Sequence, residues 1–329
     1  MPIDNTTIKI FTNVGHCYEI KIEDDESNKS DNLKIVESTY YKYKNNSTKY
    51  ACSYNITNME TPIIVYNNNQ SIIKGGFWDG RLEINNLNLE KTHDINVRVQ
   101  TVFNPDFSPI TTIEYSKKEK LFYCGSINGI LYIYKLNDYI VEFQKKLYLF
   151  DDEITSISVN DTLNMFCASS KDGFINLHLL PSCELVRTIY LNKNNNNEND
   201  KNIAYANKIF LSNFPIPCIV AYINSKSSFR SYTINGKFIN ELKETNNSHK
   251  LKSPIIYKNN NFQDILIYGT NDGFIKIRKF PEMLLINCIE VFPNKEINEI
   301  CISHDKKYCY VWNSGNVIAL VKAIVLKKN

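Results

Sequence analysis

The sequence predicts an all-β fold made of repeated four-stranded units, a β-propeller, and three observations lead to this prediction. Residues Asp172 to Ile189 recur one hundred positions later, from Asp272 to Ile289, with seven identities. Short runs rich in Ile, Val, Tyr and Phe alternate with Asn, Asp, Gly and Ser, and no segment keeps an apolar period of about 3.6 residues. Because such a unit cannot bury its apolar faces alone, the units are expected to pack on one another in a ring.

The clearest unit shows how four strands follow one another in about 40 residues, the length of one propeller blade. Glu153 to Asn160 alternates as a strand, and Met165 to Ser170 is a nearly continuous buried strand. Lys171-Asp172-Gly173 then turns the chain into Phe174 to Leu180, and Leu185 to Leu191 forms the fourth strand.

The same order predicts five further units, each centred on a tight turn. These turns are Phe77–Gly80, Ile127–Gly129, Asn224–Ser228, Asn271–Gly273 and Asn313–Gly315. The Asn224–Ser228 turn lacks glycine, and its unit is instead identified by four strands between Ala204 and Leu242, with a type I′ turn expected at Asn235-Gly236.

Two strands near the N-terminus, Thr7 to Phe11 and Cys17 to Ile22, are predicted to form part of a seventh blade. Pairing between the two chain ends would close this blade and remove exposed strand edges. The complete prediction is a single seven-bladed, WD-repeat-like propeller over residues 1–329, with polar inserts near residues 23–32 and 193–202. Both inserts lack the apolar residues that would order them, so they are expected to be solvated loops.

Charge and cysteine content limit the class of protein. The formal net charge is +3 and the lysines are scattered, which does not indicate a nucleic acid partner. Nine cysteines without a Cys-x-x-Cys pair, two of them (Cys124 and Cys167) at matching places in apolar strands, predict buried free thiols in a reducing compartment. With neither a signal peptide pattern nor an apolar run of about 18 residues, a cytoplasmic location is expected.

The chemistry-bearing residues do not predict an enzyme. Asp79, Asp172 and Asp272 precede turn glycines on separate blades, where an aspartate accepts hydrogen bonds from turn amides. The five histidines are isolated in sequence, no Gly-rich phosphate-binding loop is present, and no nucleophile motif occurs. No catalytic residue, metal, cofactor or small-molecule substrate is therefore predicted. A propeller enzyme would need carboxylates or metal ligands that converge in the central channel.

The segment Gly75 to Arg81 is the most informative local feature, because it combines an aromatic pair with an arginine. Turns between the second and third strands of a blade project to one face, and Trp and Arg are frequent at binding hot spots. The predicted partner-binding face comprises Phe77, Trp78, Arg81, Lys171, Asp172, Asn271 and Asp272. The structural alternative, which the usual burial of Trp favours, is that Phe77 and Trp78 pack over neighbouring blade edges.

Four segments also occur in the order found in one family. They are Ile73 to Asp79, Glu153 to Ile189 with Lys171-Asp172-Gly173 and His178, Phe229 to Lys237, and Asp272 to Phe280 with Arg278. In these segments the chain resembles the C-terminal WD-repeat propeller of BEACH-domain proteins, the neurobeachin-like and lysosomal-trafficking-regulator-like scaffolds. The sequence departs from standard WD repeats, since its only Trp-Asp pair, Trp78-Asp79, lies in a turn and Trp312 precedes Asn313.

This resemblance implies a non-catalytic interaction scaffold in vesicle or lysosomal membrane traffic or autophagy. It implies protein or peptide partners, indirect membrane association and a place at endosomal or lysosomal membranes. Repeats account for nearly all residues, so the BEACH module is not expected within these 329 residues. The alternative is a WD-repeat adaptor subunit of another complex, in ubiquitin ligation or RNA processing.

Overall fold

A computed structural model shows antiparallel β-strands joined by turns and loops. It describes residues 7–11, 16–24, 33–42, 63–66, 71–74, 79–86, 98–137, 140–192, 203–213, 215–243, 251–257, 264–302, 308–315 and 318–322. Within these residues the only helical segment is a 3₁₀ turn at Asn224–Lys226, and no helix is long and apolar enough to cross a membrane.

The strands form sheets in which each strand pairs with its neighbours in the chain. The N-terminal sheet has three strands, β1 (Thr7–Phe11), β2 (His16–Asp24) and β3 (Leu33–Lys42). The first four-stranded blade consists of β4 (Ile63–Tyr66), β5 (Ser71–Lys74), β6 (Arg81–Asn86) and β7 (Arg98–Phe103). The second consists of β8 (Ile110–Ser116), β9 (Leu121–Ser126), β10 (Ile130–Asn137) and β11 (Ile140–Tyr148).

The later blades repeat this order. The third consists of β12 (Ile154–Asn160), β13 (Met165–Ser170), β14 (Phe174–Leu179) and β15 (Leu185–Tyr190). The fourth consists of β16 (Lys208–Ser212), β17 (Cys218–Ile223), β18 (Ser228–Thr233) and β19 (Phe238–Lys243). The fifth consists of β20 (Leu251–Tyr257), β21 (Ile265–Thr270), β22 (Phe274–Lys279) and β23 (Leu284–Glu290). A last three-stranded sheet contains β24 (Ile297–Ile302), β25 (Tyr308–Asn313) and β26 (Ile318–Lys322).

The all-β propeller prediction is confirmed, but the predicted number of seven blades is wrong. In the part of the chain that the structure describes, five sheets have the four strands of a complete blade, and these five blades lie in a ring. Counting tight turns overestimated the number because a blade needs a fourth strand as well as its central turn. Among the described residues, the sheets at the two ends have three strands each and do not pair with each other, so the predicted closure by pairing of the chain ends is not observed there.

The apolar core lies between successive sheets. In β13, Phe166 and Ala168 face the second blade, whereas Cys167 faces the fourth blade. In β17 the alternation is the same: Ile219 faces the third blade and Val220 the fifth. Because successive side chains of a strand point to opposite faces, one middle strand supplies both neighbouring cores, which is why apolar residues follow one another directly in Met165–Ala168 and Cys218–Ala221.

Side chains of the innermost strands connect neighbouring blades through hydrogen bonds to the backbone. The Thr111 hydroxyl donates to the Ile154 carbonyl at 2.5 Å, and the Thr155 hydroxyl donates to the Ala206 carbonyl at 2.5 Å. Asn160 Nδ2 donates to the Leu211 carbonyl at 3.0 Å. These bonds satisfy backbone carbonyls at the contact between β8, β12 and β16.

The one-hundred-residue repeat has the same local structure in both copies. The hairpins after β14 and β22 both contain a cis-proline, Pro181 and Pro281. At the equivalent strand position, His178 contacts the Cys183 carbonyl through Nδ1 at 3.0 Å and Arg278 donates to the Met283 carbonyl at 2.9 Å. The repeat found in the sequence is therefore a repeat of blade architecture.

The predicted type I′ turn at Asn235-Gly236 is wrong. Only Gly236 has a positive φ, of 79°, whereas a type I′ turn requires positive φ at both central residues. The Thr233 carbonyl accepts hydrogen from the Gly236 amide at 2.9 Å, and the Thr233 hydroxyl accepts from the Lys237 amide at 3.1 Å. The threonine side chain thus stabilises a different turn.

We predict that Gly273→Ala destabilises the protein by more than about 2 kcal/mol. Gly273 has φ of 94°, and a Cβ there would overlap the Phe292 carbonyl group. The control is Gly315→Ala, where the nearest atom to an added Cβ is Asn313 Oδ1 at 3.3 Å. Chemical denaturation measures both variants, and equal losses would contradict the argument from backbone conformation.

Candidate partner-binding face

One face of the ring is formed by the turns between second and third strands together with the loops between blades. We call it the turn face, and its described segments in the first three blades are residues 79–80, 104–109, 126–129, 149–153 and 170–173. Backbone hydrogen bonds join these segments: the Ile127 amide donates to Pro109 and the Lys171 amide to Glu153, each at 3.0 Å. The turn face is therefore a continuous bonded surface.

Two of the predicted partner-binding residues, Phe77 and Trp78, lie outside the described residues. A third, Arg81, is buried. Its Nη1 donates to Asp79 Oδ2 at 2.6 Å and its Nε to Glu83 Oε1 at 3.1 Å. The guanidinium group is thus bonded to carboxylates of its own blade, and a role of Arg81 in recognition stays a prediction.

The other predicted residues lie partly exposed on two turns of the turn face. Lys171 Nζ donates to Glu153 Oε2 at 2.5 Å, and this hydrogen bond raises the pKa of Lys171. Asp172 Oδ1 accepts from the Phe174 amide at 3.1 Å, which confirms its predicted structural role in the turn. Asn271 and Asp272 occupy the equivalent turn two blades away. Whether any of these four residues binds a partner stays a prediction.

An exposed aromatic pair beside the Gly80 turn was not predicted from the sequence. The rings of Phe103 and Phe107 are 5.8 Å apart, and the residues are 46% and 63% exposed. Phe103 pairs with Arg81 across β6 and β7. An aromatic residue inside the polar loop segment Asn-Pro-Asp-Phe-Ser was the available signal, since such a loop offers Phe107 no apolar surroundings.

Asn104 holds this loop in place. It is 1% exposed, and its Nδ2 donates to the Gly80 carbonyl at 2.8 Å and to the Ser108 carbonyl at 2.7 Å. Its Oδ1 accepts from the Ser108 amide at 2.9 Å and from the Asp106 amide at 3.2 Å. These four bonds accompany a positive φ of 52° at Phe107. The loop backbone is thereby fixed with the phenyl ring in solvent.

A second set of bonds attaches the loop to the second blade. Lys146 Nζ donates to Asp106 Oδ1 at 2.8 Å, and the Tyr132 hydroxyl donates to Asp106 Oδ2 at 2.8 Å. The hydrogen bonds from Lys146 and then Tyr132 lower the pKa of Asp106. Lys146 Nζ also lies 5.6 Å from the ring centre of Tyr148, which is 73% exposed.

Carboxylates outnumber cations on this part of the turn face. The cations whose side chains the structure describes there are Arg81, Lys146 and Lys171, and each lies within 2.8 Å of an acid, Asp79, Asp106 or Glu153 respectively. Asp151, Asp152 and Asp172 remain as a surplus. The described charged side chains on this part of the turn face therefore have an acidic surplus, although the whole chain carries +3.

The described cysteines are all free, and most are buried, as predicted for Cys124 and Cys167. Burial raises the pKa of the Cys124 thiol and raises that of Cys218 to about 12. These thiols are therefore protonated at neutral pH and unreactive. In the same part of the chain, no group of three or more His, Cys, Asp or Glu residues is arranged to hold a metal ion.

Comparisons with known proteins place the fold but not the family. Neither the family models nor the curated proteins compared with the chain gave a match. Among solved structures, the computationally designed Ika8 protein aligns with a TM-score of 0.55 at 14% identity, over 80% of this chain and 70% of the designed one. The β-propeller domain of Cps50 (Swd1) from Myceliophteria thermophila aligns with a TM-score of 0.54 at 14% identity, over 67% of each chain. The chain therefore has a β-propeller fold.

We predict that Asn104→Ala destabilises the protein by about 2 kcal/mol or more, because it leaves buried backbone groups of the Gly80 turn and the Ser108 loop without partners. Asn128→Ala is the matched control, since Asn128 is exposed at a turn of the same face. Its effect should stay within about 0.5 kcal/mol. Thermal unfolding followed by circular dichroism measures both, and an intact Tm in Asn104→Ala would contradict this role.

We also predict that His178 makes the protein less stable in acid. The imidazole is 4% exposed and stacks on Phe166 at 4.9 Å, and burial lowers its pKa despite the opposing hydrogen bond to Cys183. The unfolded chain therefore binds the proton more readily, and stability is lost as pH falls below about 6.5.

The His178→Gln variant isolates this effect, because glutamine can still donate to the Cys183 carbonyl but does not titrate. Urea unfolding between pH 7.5 and 5 should show a steeper loss for the natural protein than for the variant. Parallel pH profiles would contradict the assignment.

Proposed function

We propose that the protein is a non-catalytic scaffold that binds other proteins through the turn face of its propeller. The observation that carries this proposal is a fixed loop that exposes an aromatic side chain. Asn104 makes four hydrogen bonds within the loop region, while Phe107 is 63% exposed. An aromatic group held in solvent by a rigid frame binds a partner at a small ordering cost, which suits recognition.

The architecture supports the same function. Propellers hold variable loops on a ring of packed sheets, and binding residues are concentrated on loops positioned by rigid elements. In this chain the inter-blade cores and the hydrogen bonds of β8, β12 and β16 position the turn face. A partner would thus meet a preformed surface.

We further propose that the scaffold is a BEACH-type propeller in vesicle or lysosomal membrane traffic or autophagy, at the cytoplasmic side of endosomal or lysosomal membranes. The support is the order of sequence correspondences from Ile73 to Phe280. The alternative is an adaptor subunit in ubiquitin ligation or RNA processing. The fold is compatible with both, because folds of this kind serve many functions.

Affinity capture with the full chain, followed by mass spectrometry, tests both levels of the proposal. The traffic role predicts endosomal, lysosomal or autophagy proteins, whereas ligase or ribonucleoprotein subunits would support the alternative. A turn-face variant, Asn128→Arg with Ser314→Arg, should lose these proteins. An opposite-face variant, Ser182→Arg with Asn235→Arg, should retain them. All four side chains are exposed, so both variants should fold normally.

Two results would contradict the scaffold function on this face. The first is capture that the turn-face variant leaves unchanged, and the second is capture that only the opposite-face variant abolishes.

A further inference from the structure

We propose that Phe103 and Phe107 form a docking site for a basic linear segment of a partner protein, in which an arginine or lysine side chain lies against the two rings. This inference rests on the proposed scaffold function and specifies its partner class. Three features of the described residues support it: the exposed aromatic surface, its fixed conformation and the sign of the surrounding charge.

The aromatic surface has no cover within the described structure. Phe103 and Phe107 are 46% and 63% exposed with their rings 5.8 Å apart, and Tyr148 beyond Lys146 is 73% exposed. Grouped large apolar side chains on a soluble protein indicate an interaction site, whereas isolated ones do not. Ring faces of this kind bind apolar groups and also the cations of arginine and lysine.

The conformation of the site exists before a partner arrives. The Asn104 bonds to Gly80 and Ser108 fix the loop, and Asp106 joins it to Lys146 and Tyr132 of the second blade. A partner segment therefore need not order the loop, so more of the contact energy appears as affinity.

The surrounding charge selects the partner. The cations Lys146 and Lys171 are each bonded to a carboxylate, so they offer little attraction to an acidic partner. Asp151 and Asp152 are exposed on the next inter-blade loop, and Asp172 lies on the turn bonded to that loop. Surplus carboxylates on the same face as the exposed rings attract basic segments and repel phosphate-bearing polymers.

The opposite face of the second blade differs in charge. Its β8–β9 turn contains the exposed residues Lys117, Lys118 and Lys120. The acidic surplus is thus a property of the turn face and does not follow from the composition of the blade. Electrostatic attraction should therefore direct a basic segment to the turn face of the propeller, where Phe107 lies.

The test uses the full chain and three fluorescein-labelled twelve-residue peptides, measured by fluorescence anisotropy. One peptide alternates Arg and Leu, one replaces Arg by Glu, and one replaces Arg by Gln. The site predicts that the Arg peptide binds at least tenfold more tightly than either other peptide, and that its affinity falls as salt is raised.

Variants locate the binding. Phe107→Ala should weaken the Arg peptide about tenfold or more, and Asp151→Asn with Asp152→Asn should weaken it several-fold and reduce the salt dependence. Phe107→Tyr, which keeps the ring, should bind as the natural protein does. The matched control is Phe238→Ala, because Phe238 is 51% exposed but lies on β19, away from the turn face.

Equal affinity for the three peptides would overturn the charge selection, and unchanged binding by Phe107→Ala, or equal loss in Phe238→Ala, would overturn the site.

Failure of this docking site is distinguishable from failure of the scaffold function. If the capture experiment recovers partners through the turn face but the Arg peptide does not bind, the scaffold function is supported and the basic partner class is contradicted. If the Arg peptide binds through Phe107 but capture recovers no partner, the docking site for basic segments is supported and the scaffold function is contradicted.

Discussion

The alternation of side chains along the middle strands is the constraint on which the structure depends. One strand such as β13 supplies Phe166 to the core on one side and Cys167 to the core on the other. A blade is therefore buried only when it has a neighbour on each face, and the sheets must stack around an axis. The sheet ends, where turns and inter-blade loops meet, are held in place by this stacking.

The same packing constraint fixes the position of the candidate binding residues on the turn face. The loops on the turn face are bonded from one blade to the next, as between Pro109 and Ile127 and between Glu153 and Lys171. A loop in such a chain cannot relax independently of its neighbours. This explains how Phe107 keeps a positive φ and a largely exposed ring, with the Phe103 ring 5.8 Å away. Rigid presentation of an aromatic side chain is what a binding platform needs.

Much of the blade architecture could be predicted from the sequence because its signals are local. The Asp172-Gly173 turn, the nearly continuous buried strand β13 and the one-hundred-residue repeat can each be recognised from residues close together in the sequence or from a direct comparison of two segments. The number of blades could not be predicted in this way. A turn such as Asn313–Gly315 has the same local pattern whether three or four strands surround it, and strand pairing between chain ends is a long-range property.

The candidate site was predicted only in part, for a related reason. Arg81 looked like a recognition residue beside an aromatic turn, but its carboxylate partners Asp79 and Glu83 are two residues away on either side, so it is bonded within its own blade. Phe107 was missed because its exposure follows from Asn104 contacting Gly80, 24 residues earlier in the chain. A residue pattern alone does not report such a contact.

Amide hydrogen exchange of the loop around Phe107 tests whether blade packing fixes the turn face before any partner binds. A fixed turn face predicts that the Ser108 amide, bonded to Asn104 Oδ1 at 2.9 Å, exchanges slowly, with protection close to that of β9 and β13. Exchange of this amide at the rate of an unstructured peptide, while those strands remain protected, would contradict it.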